Sequence, residues 1–554
     1  MRVLGVLVVV AVVATIASAL LVDRPARTTD LTSTPSVATP RAIERASSES
    51  ACSLPPRELL RVWRGVRAGA SGEIQIVPTA PHFVGAGLSH AGPWDYVQRV
   101  PLLFYGPGIV PANGRVHGEA TLADIAPTVA TWLDFPFEAP DGHALVEATQ
   151  EDQVPAPRLI VTLVWDGGGR DVLDRWPDDW PFLASLVERG TWYEDATVGS
   201  SPTNTPPSHA TIGTGAFPRT NGVVDLYQEV DGVIAKPSDG GPGTLLLPTL
   251  ADSFDLAMDN EPKVGLVATL GAHTGMIGHG ATWPGGDRDV AVLREDEDSG
   301  TGGDEGRTWE LTEPMRAAFH LPDYVDDVPG FDADVAALDQ SDGALDGNWH
   351  QYPLDALDDG FQTPARAPYQ TRIVESVVER EGFGLDDVPD LLFVNLKAID
   401  SVGHIFSADG HQMGETVRWH DDALADLVGW LDDRVGSGRW AMVLTADHGA
   451  QRDPERTGAL SIGVDHITRY LDGQFAGRTN GASIVRRVRP TQIWLRNDVL
   501  SAAGISEEEV AAALRTVTLA DLAGEVPYHD DPETRAFATA FPSSTIQRLG
   551  CLQK

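Results

Sequence analysis

The sequence predicts an α/β fold: a mostly parallel central sheet flanked by helices on both faces. Three observations point there. Short continuous apolar runs recur along the chain, helix-like segments separate them, and the runs end in polar or glycine-rich turns. The runs are "EIQIVPT" (73–79), "VPLLFYGPG" (100–108), "RLIVTLVWDGGG" (158–169), "KVGLVATLG" (263–271), "DLLFVNLKAID" (390–400) and "WAMVLTADHG" (440–449). A run apolar at successive positions suits a strand covered on both faces, as strands of parallel sheets are. Between them "TLADIAPTVATWLDF", "PFLASLVERG" and "HDDALADLVGWLDDRV" read as helices, and Ser506 with Glu509 forms a capping-box start. This alternation indicates helices packed on a sheet. Ligands of such sheets sit beyond the carboxyl ends of the strands, so the polar residues that end the runs carry the functional information.

The beginning of the chain reads differently. A continuous apolar run from Val3 to Val22 follows one early arginine, and Ala17-Ser18-Ala19 fits a signal-peptidase site. Residues 1–22 are therefore expected to be a signal peptide or, uncut, a membrane anchor. Either implies a secreted or extracytoplasmic protein. Residues 23–51 are rich in Ser, Thr and Pro and are expected to form a disordered tether. The acidic, glycine-rich stretch 294–307 reads as an exposed loop. The 554 residues suffice for one large or two medium domains, and the net charge of −39 is spread along them. Such a field disfavours nucleic-acid polymers and anionic lipid and draws divalent cations. The two cysteines, Cys52 and Cys551, lack metal-type spacing. Export suggests a disulfide, whereas sequence distance alone favours two unrelated thiols.

Three acids stand at or just past the ends of runs: Asp166, Asp400 and Asp447. His404 follows Asp400 by four residues, which puts both side chains on one face of a helical turn, within reach of one cation. His448 follows Asp447 directly, and the next glycine permits a tight turn. In "SSPTNTPPSHATIGTGAFPRTNGV" (200–223) Thr205 precedes two prolines and is expected to be a helix N-cap, its hydroxyl at the positive end of the helix dipole. Such a terminus suits a phosphate.

The order Asp166, Thr205, Asp400/His404, Asp447/His448 resembles the alkaline phosphatase superfamily, nearest its type I phosphodiesterase and nucleotide pyrophosphatase branch. The resemblance covers nearly everything from about residue 70 to 550. It implies two Zn²⁺ ions, with other divalent cations as alternatives. One would be held by Asp166, Asp447 and His448 and touch the oxygen of Thr205, the nucleophile. The other would be held by Asp400, His404 and a further histidine that in the family follows all the others. No stretch after His448 has that histidine's context; His466 and His529 lack it. His90, in "LSHAGPWDYVQRVPLLFYGPGIV", has it, and "ATAFPSSTIQRLGCLQK" at the C-terminus resembles what normally precedes "SGEIQIVPTAPHFVG". The resemblance therefore implies a circular permutant. Residues 52–150 would be the moved C-terminal part of the catalytic domain, and 151–554 the remainder, with substrate-side insertions in 225–390. Cys52 and Cys551 then flank one cut and are expected to pair.

The implied activity is exported phosphoester hydrolysis of the phosphodiesterase type. The alternatives are an alkaline phosphomonoesterase with the same site, or a catalytically weak member that binds metal or phosphate. Threonine in place of a modified Cys or Ser argues against sulfatase activity. Leu226 falls where relatives carry a phosphate-binding asparagine. Asn221, Asp225, Lys397 and His279 are expected substrate contacts, with Arg170, Arg219 and His273 as further possibilities. The expected partner is a small phosphate ester, with membrane contact only through an uncleaved N-terminal anchor; the sequence leaves oligomeric state open.

Overall fold

Nine strands build the main sheet of the computed structural model. It describes residues 40–150, 156–294, 309–358, 360–522 and 533–552. In spatial order the strands are Phe319–His320, Asp289–Val292, Val264–Val267, Asp390–Leu396, Leu159–Trp165, Trp440–Thr445, Leu102–Tyr105, Thr191–Thr197 and Gly114–Thr121. All neighbours are parallel except at Leu102–Tyr105, which runs antiparallel to both of its partners. The central strands are buried at every position, and alternate residues feed two cores. Leu159, Val161, Leu163 and Trp165 join the core on one face, while Ile160 and Val164 join the other. That two-sided burial is why these segments read as unbroken apolar runs.

Helices expected from the sequence form at Ile125–Trp132, Pro181–Val187 and His411–Leu431. Helix Glu507–Thr516 starts with the expected capping box. Ser506 N–H donates to Glu509 Oε2 at 2.8 Å, and Glu509 N–H donates to Ser506 Oγ at 3.3 Å.

Two of the six runs take other roles than the parallel pattern implies. Run 100–108 contributes the antiparallel strand of the main sheet. Run 73–79 contributes Ile74–Pro78 to a separate four-stranded sheet, antiparallel between Gln492–Leu495 and Phe537–Pro542. Burial on both sides makes a run apolar whatever the direction of its neighbours, so the sequence alone could not separate the cases. N-terminal strands thus sit inside both sheets, and residues 41–554 form one compact unit.

The last part of the expected tether is ordered. Pro40–Ala51 is helical. Ser47 and Ala51 are buried, Arg515 Nη1 donates to Ser47 Oγ at 2.6 Å, and Ser50 Oγ lies 2.8 Å from Thr539 Oγ1. Small polar residues suffice here because the partners are already folded. Residues 1–39, the stretch 295–308 and His529 lie outside the described residues, and with them the expected signal or anchor segment and nearly all of the expected acidic loop. Among the described residues no helix is long and apolar enough to cross a membrane.

Cys52 and Cys551 form a disulfide, with Cα atoms 6.0 Å apart across 499 residues of sequence. It ties the helix Pro40–Ala51 to the turn Gly550–Leu552 beside a small apolar cluster that includes Leu54, Val62, Phe541 and Leu549. Closing so long a loop restricts the unfolded chain strongly. Cys52→Ser is expected to lower unfolding free energy by about 2–4 kcal/mol. Urea unfolding checks this, and Cys551→Ser should match it, with no further loss in the double variant.

Candidate active site

Strands Asp390–Leu396, Leu159–Trp165 and Trp440–Thr445 are adjacent and parallel, so their carboxyl ends open on one edge. Asp166 directly follows the second strand and Lys397 the first, and Asp447 stands two residues past the third. Helix Ala398–Phe406 then carries Asp400 and His404 on one face, with Asp400 Oδ1 3.5 Å from His404 Nε2. Gly167 makes the turn at φ +72°, and a Cβ there would stand 2.9 Å from Asp400 Cα. Only glycine lets these two loops touch.

His90 reaches the same edge from the N-terminal segment. The strand after it is antiparallel, so it starts where its neighbours end, and the preceding loop lies over the site. Two contacts with Thr203 fix it. His90 Nδ1 lies 2.8 Å from Thr203 O, and Thr203 Oγ1 donates to His90 O at 2.7 Å. His90 Nε2 is 3.5 Å from Asp400 Oδ1, and its ring stacks on His448 with centroids 3.7 Å apart.

Thr205 opens helix Thr205–Thr214, with Asn204 in the N-cap position. The expectation that Thr205 itself caps is thus displaced by one residue. Its hydroxyl is left clear of capping, and Lys397 Nζ donates to it at 3.4 Å. Lys397 Nζ also stands 2.9 Å from Asp166 Oδ1 and 2.7 Å from Asp400 Oδ2.

The charges are unequal: one ammonium faces three buried carboxylates. Burial raises Asp166, but Lys397 and the neighbouring histidines outweigh it and hold the group well below the usual carboxylate range. Burial likewise opposes the Asp400 anion, and Lys397 reverses that. For Asp447 the relief from His448 and Lys397 is too weak. Burial, then the Asp166 charge beside it, push it up to about 7. Burial and the adjacent His448 hold His90 well below an ordinary histidine, hence neutral, the form that binds metals.

The donor set fits a metal. Asp447 Oδ1 accepts from Gly167 N–H at 3.0 Å, but Asp447 Oδ2 and His448 Nε2 are buried, 3.2 Å apart, and without a hydrogen-bond partner. His448 Nδ1 faces Gly449 O at 3.0 Å, so in the neutral ring the Nε2 lone pair faces a carboxylate oxygen; without a metal the surrounding carboxylates raise His448 despite its burial. Each orphan of this kind costs about 1–3 kcal/mol, which a cation between them would offset. Donor atoms of Asp166, Asp447 and His448 lie within 4.8 Å of one another, as do those of His90, Asp400 and His448.

Other expected residues have committed polar atoms. Asn221 Nδ2 donates to Ala216 O at 2.7 Å, and its Oδ1 accepts from Val223 N–H at 2.9 Å. Asp225 accepts from Asn204 Nδ2, from Leu226 N–H at 2.6 Å and from Gln492 Nε2 at 2.7 Å. His279 bonds Asp252 Oδ2 and Leu245 O, each at 2.9 Å. None of the three lines the cleft, whereas Lys397 and Leu226 do. Arg170 pairs with Glu194 and Asp174, and Arg219 stacks on Trp63. His273 does join the site, its Nε2 3.3 Å from Asp166 Oδ2. His466 turns away to the Leu522 carbonyl.

The sequence reading missed His209, one turn after Thr205. Burial, then His273, lower it to about 3. Its Nδ1 faces Thr205 O at 2.7 Å, and Asn395 Nδ2 donates both to its Nε2 (3.1 Å) and to Asp166 Oδ2 (3.0 Å). The i, i+4 spacing from Thr205 was its signal. The cleft, a space of about 980 Å³, is lined by His90, Thr205 and His404, which the sequence singled out, and by Asn204, Arg487 and Arg489, which it did not. Both arginines alternate on strand Val485–Arg489 and lie over the Tyr227 ring, at 3.5 and 5.2 Å from its centroid.

Comparison with known proteins adds the following. The family described as type I phosphodiesterase / nucleotide pyrophosphatase matches residues 160–541. A protein named calcium-transporting ATPase from Myroides odoratus is 24% identical over 421 residues, 65% of this chain and 73% of that protein. Alkaline phosphatase PhoV of Synechococcus elongatus is 24% identical over 348 residues, 54% of this chain and 60% of its own length. A solved structure of a mutant alkaline phosphatase PafA shares the fold, with TM-score 0.50 and 18% identity, covering 71% of this chain and 86% of that one.

The geometry separates His279 from the chemistry. His279→Ala is expected to lower stability by about 1–3 kcal/mol, because it leaves the buried Leu245 carbonyl and Asp252 short of donors. Turnover per folded molecule should stay within twofold of the parent. Chemical unfolding beside a folded-fraction-corrected assay tests both; unchanged stability with a tenfold loss of turnover would contradict the assignment.

Proposed function

Because the chain belongs to the type I phosphodiesterase / nucleotide pyrophosphatase family, in the alkaline phosphatase superfamily, we propose that it is an exported hydrolase of small phosphate esters working through Thr205 and two zinc ions. The observation that carries this reading is the pair of donor sets beside the Thr205 hydroxyl, Asp166 with Asp447 and His448, and His90 with Asp400 and His448, which overlap at His448; His404, 3.5 Å from Asp400 Oδ1, extends the second. Asp166, Asp447 and His448 would hold one ion, and Asp400, His404 and His90 the other. When bound, the ions supply the positive charge that three carboxylates demand and acidify the hydroxyl and the leaving oxygen.

The chain's own residues do the rest. Thr205 sits at the first position of its helix, where unpaired backbone N–H groups face an incoming phosphate. Its Oγ attacks phosphorus, the P–O bond to the leaving group breaks, and the departing oxygen takes up a proton. Water then cleaves the phosphothreonine and restores the hydroxyl. Asp225 holds Asn204 beside Thr205, which makes Asn204 the amide that stands in for the family's asparagine at the Leu226 position. Lys397 adds charge at the attacking oxygen.

Substrate preference follows from two features. The wide cleft with Arg487 and Arg489 favours a diester or phosphoanhydride, whose second group needs room and a counter-charge. Lys397, 3.4 Å from Thr205 Oγ, favours the more highly charged monoester, which is the second reading. The connectivity is proposed to be a circular permutation. In support, the family match begins at residue 160, yet His90 and the strands Ile74–Pro78 and Leu102–Tyr105 lie among matched elements.

Thr205→Ala is expected to abolish turnover of both p-nitrophenyl phosphate and bis-p-nitrophenyl phosphate, by at least a thousandfold, and to leave bound zinc unchanged. Turnover within tenfold of the parent would mean that another group attacks. In the parent, the ratio of the two rates decides between the diester and monoester readings.

A further inference from the structure

The opposite edge of the main sheet carries a second group of acids. Strand Asp289–Val292 is parallel to Val264–Val267, so its first residue stands at the edge away from Asp166 and Asp447. Asp255 comes from helix Leu250–Ala257, and Asp287 from the turn that enters the strand. One carboxylate oxygen from each of Asp255, Asp287 and Asp289 lies within 4.8 Å of the other two.

A cluster of acids alone says little, but this one has an orphan inside it. Asp255 is 5% exposed, and its Oδ1 is buried with no hydrogen-bond donor. The helix's other buried acid shows the contrast. Asp252 accepts from Thr249 N–H at 2.9 Å, His279 N–H at 2.7 Å and His279 Nδ1 at 2.9 Å. Among the described residues no lysine or arginine pairs with Asp255, Asp287 or Asp289. A second orphan acceptor stands nearby. Asn260 N–H donates to Asp255 O at 2.9 Å and its Nδ2 to Gly285 O at 3.1 Å, while its Oδ1 is buried without a donor. Burial, then the Asp287 charge, push Asp255 up to about 7; burial and Asp255 raise Asp289 well above the carboxylate range. Without a counter-ion the three cannot all ionise.

We propose that Asp255, Asp287 and Asp289 bind one calcium ion that ties helix Leu250–Ala257 to the start of strand Asp289–Val292, apart from the catalytic centre. The donors are all oxygen, with neither imidazole nor thiolate, which selects a hard cation over zinc. They come from a helix, a glycine turn and a strand end, an irregular set that suits the variable coordination of calcium better than the strict octahedron of magnesium.

The test uses the full chain, freed of calcium and kept at constant zinc, with CaCl₂ as the probe and thermal unfolding as the readout. Millimolar calcium should raise the parent's Tm by a few degrees. Asp289→Asn and, separately, Asp255→Asn should lose that increment. In calcium-free buffer each should melt above the parent, because an amide relieves the repulsion. Zinc content and aryl phosphate turnover should stay parental in both. A calcium increment retained in Asp289→Asn, or none in the parent, would overturn the site. Loss of phosphoester turnover alone would bear on the catalytic reading and not on this one.

Discussion

Asp166, Asp400 and Asp447 are brought to the same edge by three adjacent parallel strands, and Lys397 is the ammonium that meets the first two. Backbone topology leaves no room to separate them, because Asp166 N–H already bonds Leu396 O at 3.1 Å and Gly167 N–H bonds Asp447 Oδ1 at 3.0 Å. The like-charge problem has to be solved by cations, and the surroundings are arranged for that. His90 is kept neutral, His448 turns Nε2 inward, and Thr205 is the uncharged oxygen at the meeting point. The metal-ion reading and the threonine reading are therefore one argument about charge.

The same constraint explains why the segment 74–105 is not an appendage. His90 needs a strand entering from the active-site edge, and an antiparallel strand beside Trp440–Thr445 supplies it. Thr203 then locks His90 to the loop that carries Thr205. At the other sheet Ile74–Pro78 is enclosed by strands from the far end of the chain. The Cys52–Cys551 bond ties the N-terminal segment covalently to the C-terminal one.

Much of this was legible in the sequence because it is local. The ends of "LVWDGGG", "LKAID" and "LTADHG" could be read as strand exits, and the Asp400/His404 spacing as one helical face. The pairing of Cys52 with Cys551 was reached through the family resemblance. Less legible was anything decided by long-range packing. Strand direction at Leu102–Tyr105 leaves no mark on an apolar run. The helix Pro40–Ala51 was hidden by a composition that suits disorder, since its small side chains, Ser47, Ser50 and Ala51, find partners only in residues far along the chain. Asn221, Asp225 and His279 had the right chemistry for substrate contacts, but their bonds to Ala216, Gln492 and Asp252 hold the scaffold. Asn204 and the Arg487–Tyr227 stack drew no notice because their meaning depends on which surfaces the fold brings face to face.

The central claim is that a histidine near the start of the chain completes a two-metal site by joining Asp400 and His404, more than three hundred positions later. Anomalous diffraction at the zinc edge, from crystals grown with zinc, tests it directly. The account predicts two peaks beside Thr205 Oγ, one among Asp166, Asp447 and His448, the other bound by Asp400, His404 and His90 Nε2. A single peak, or a second peak whose ligands do not include His90, would contradict it.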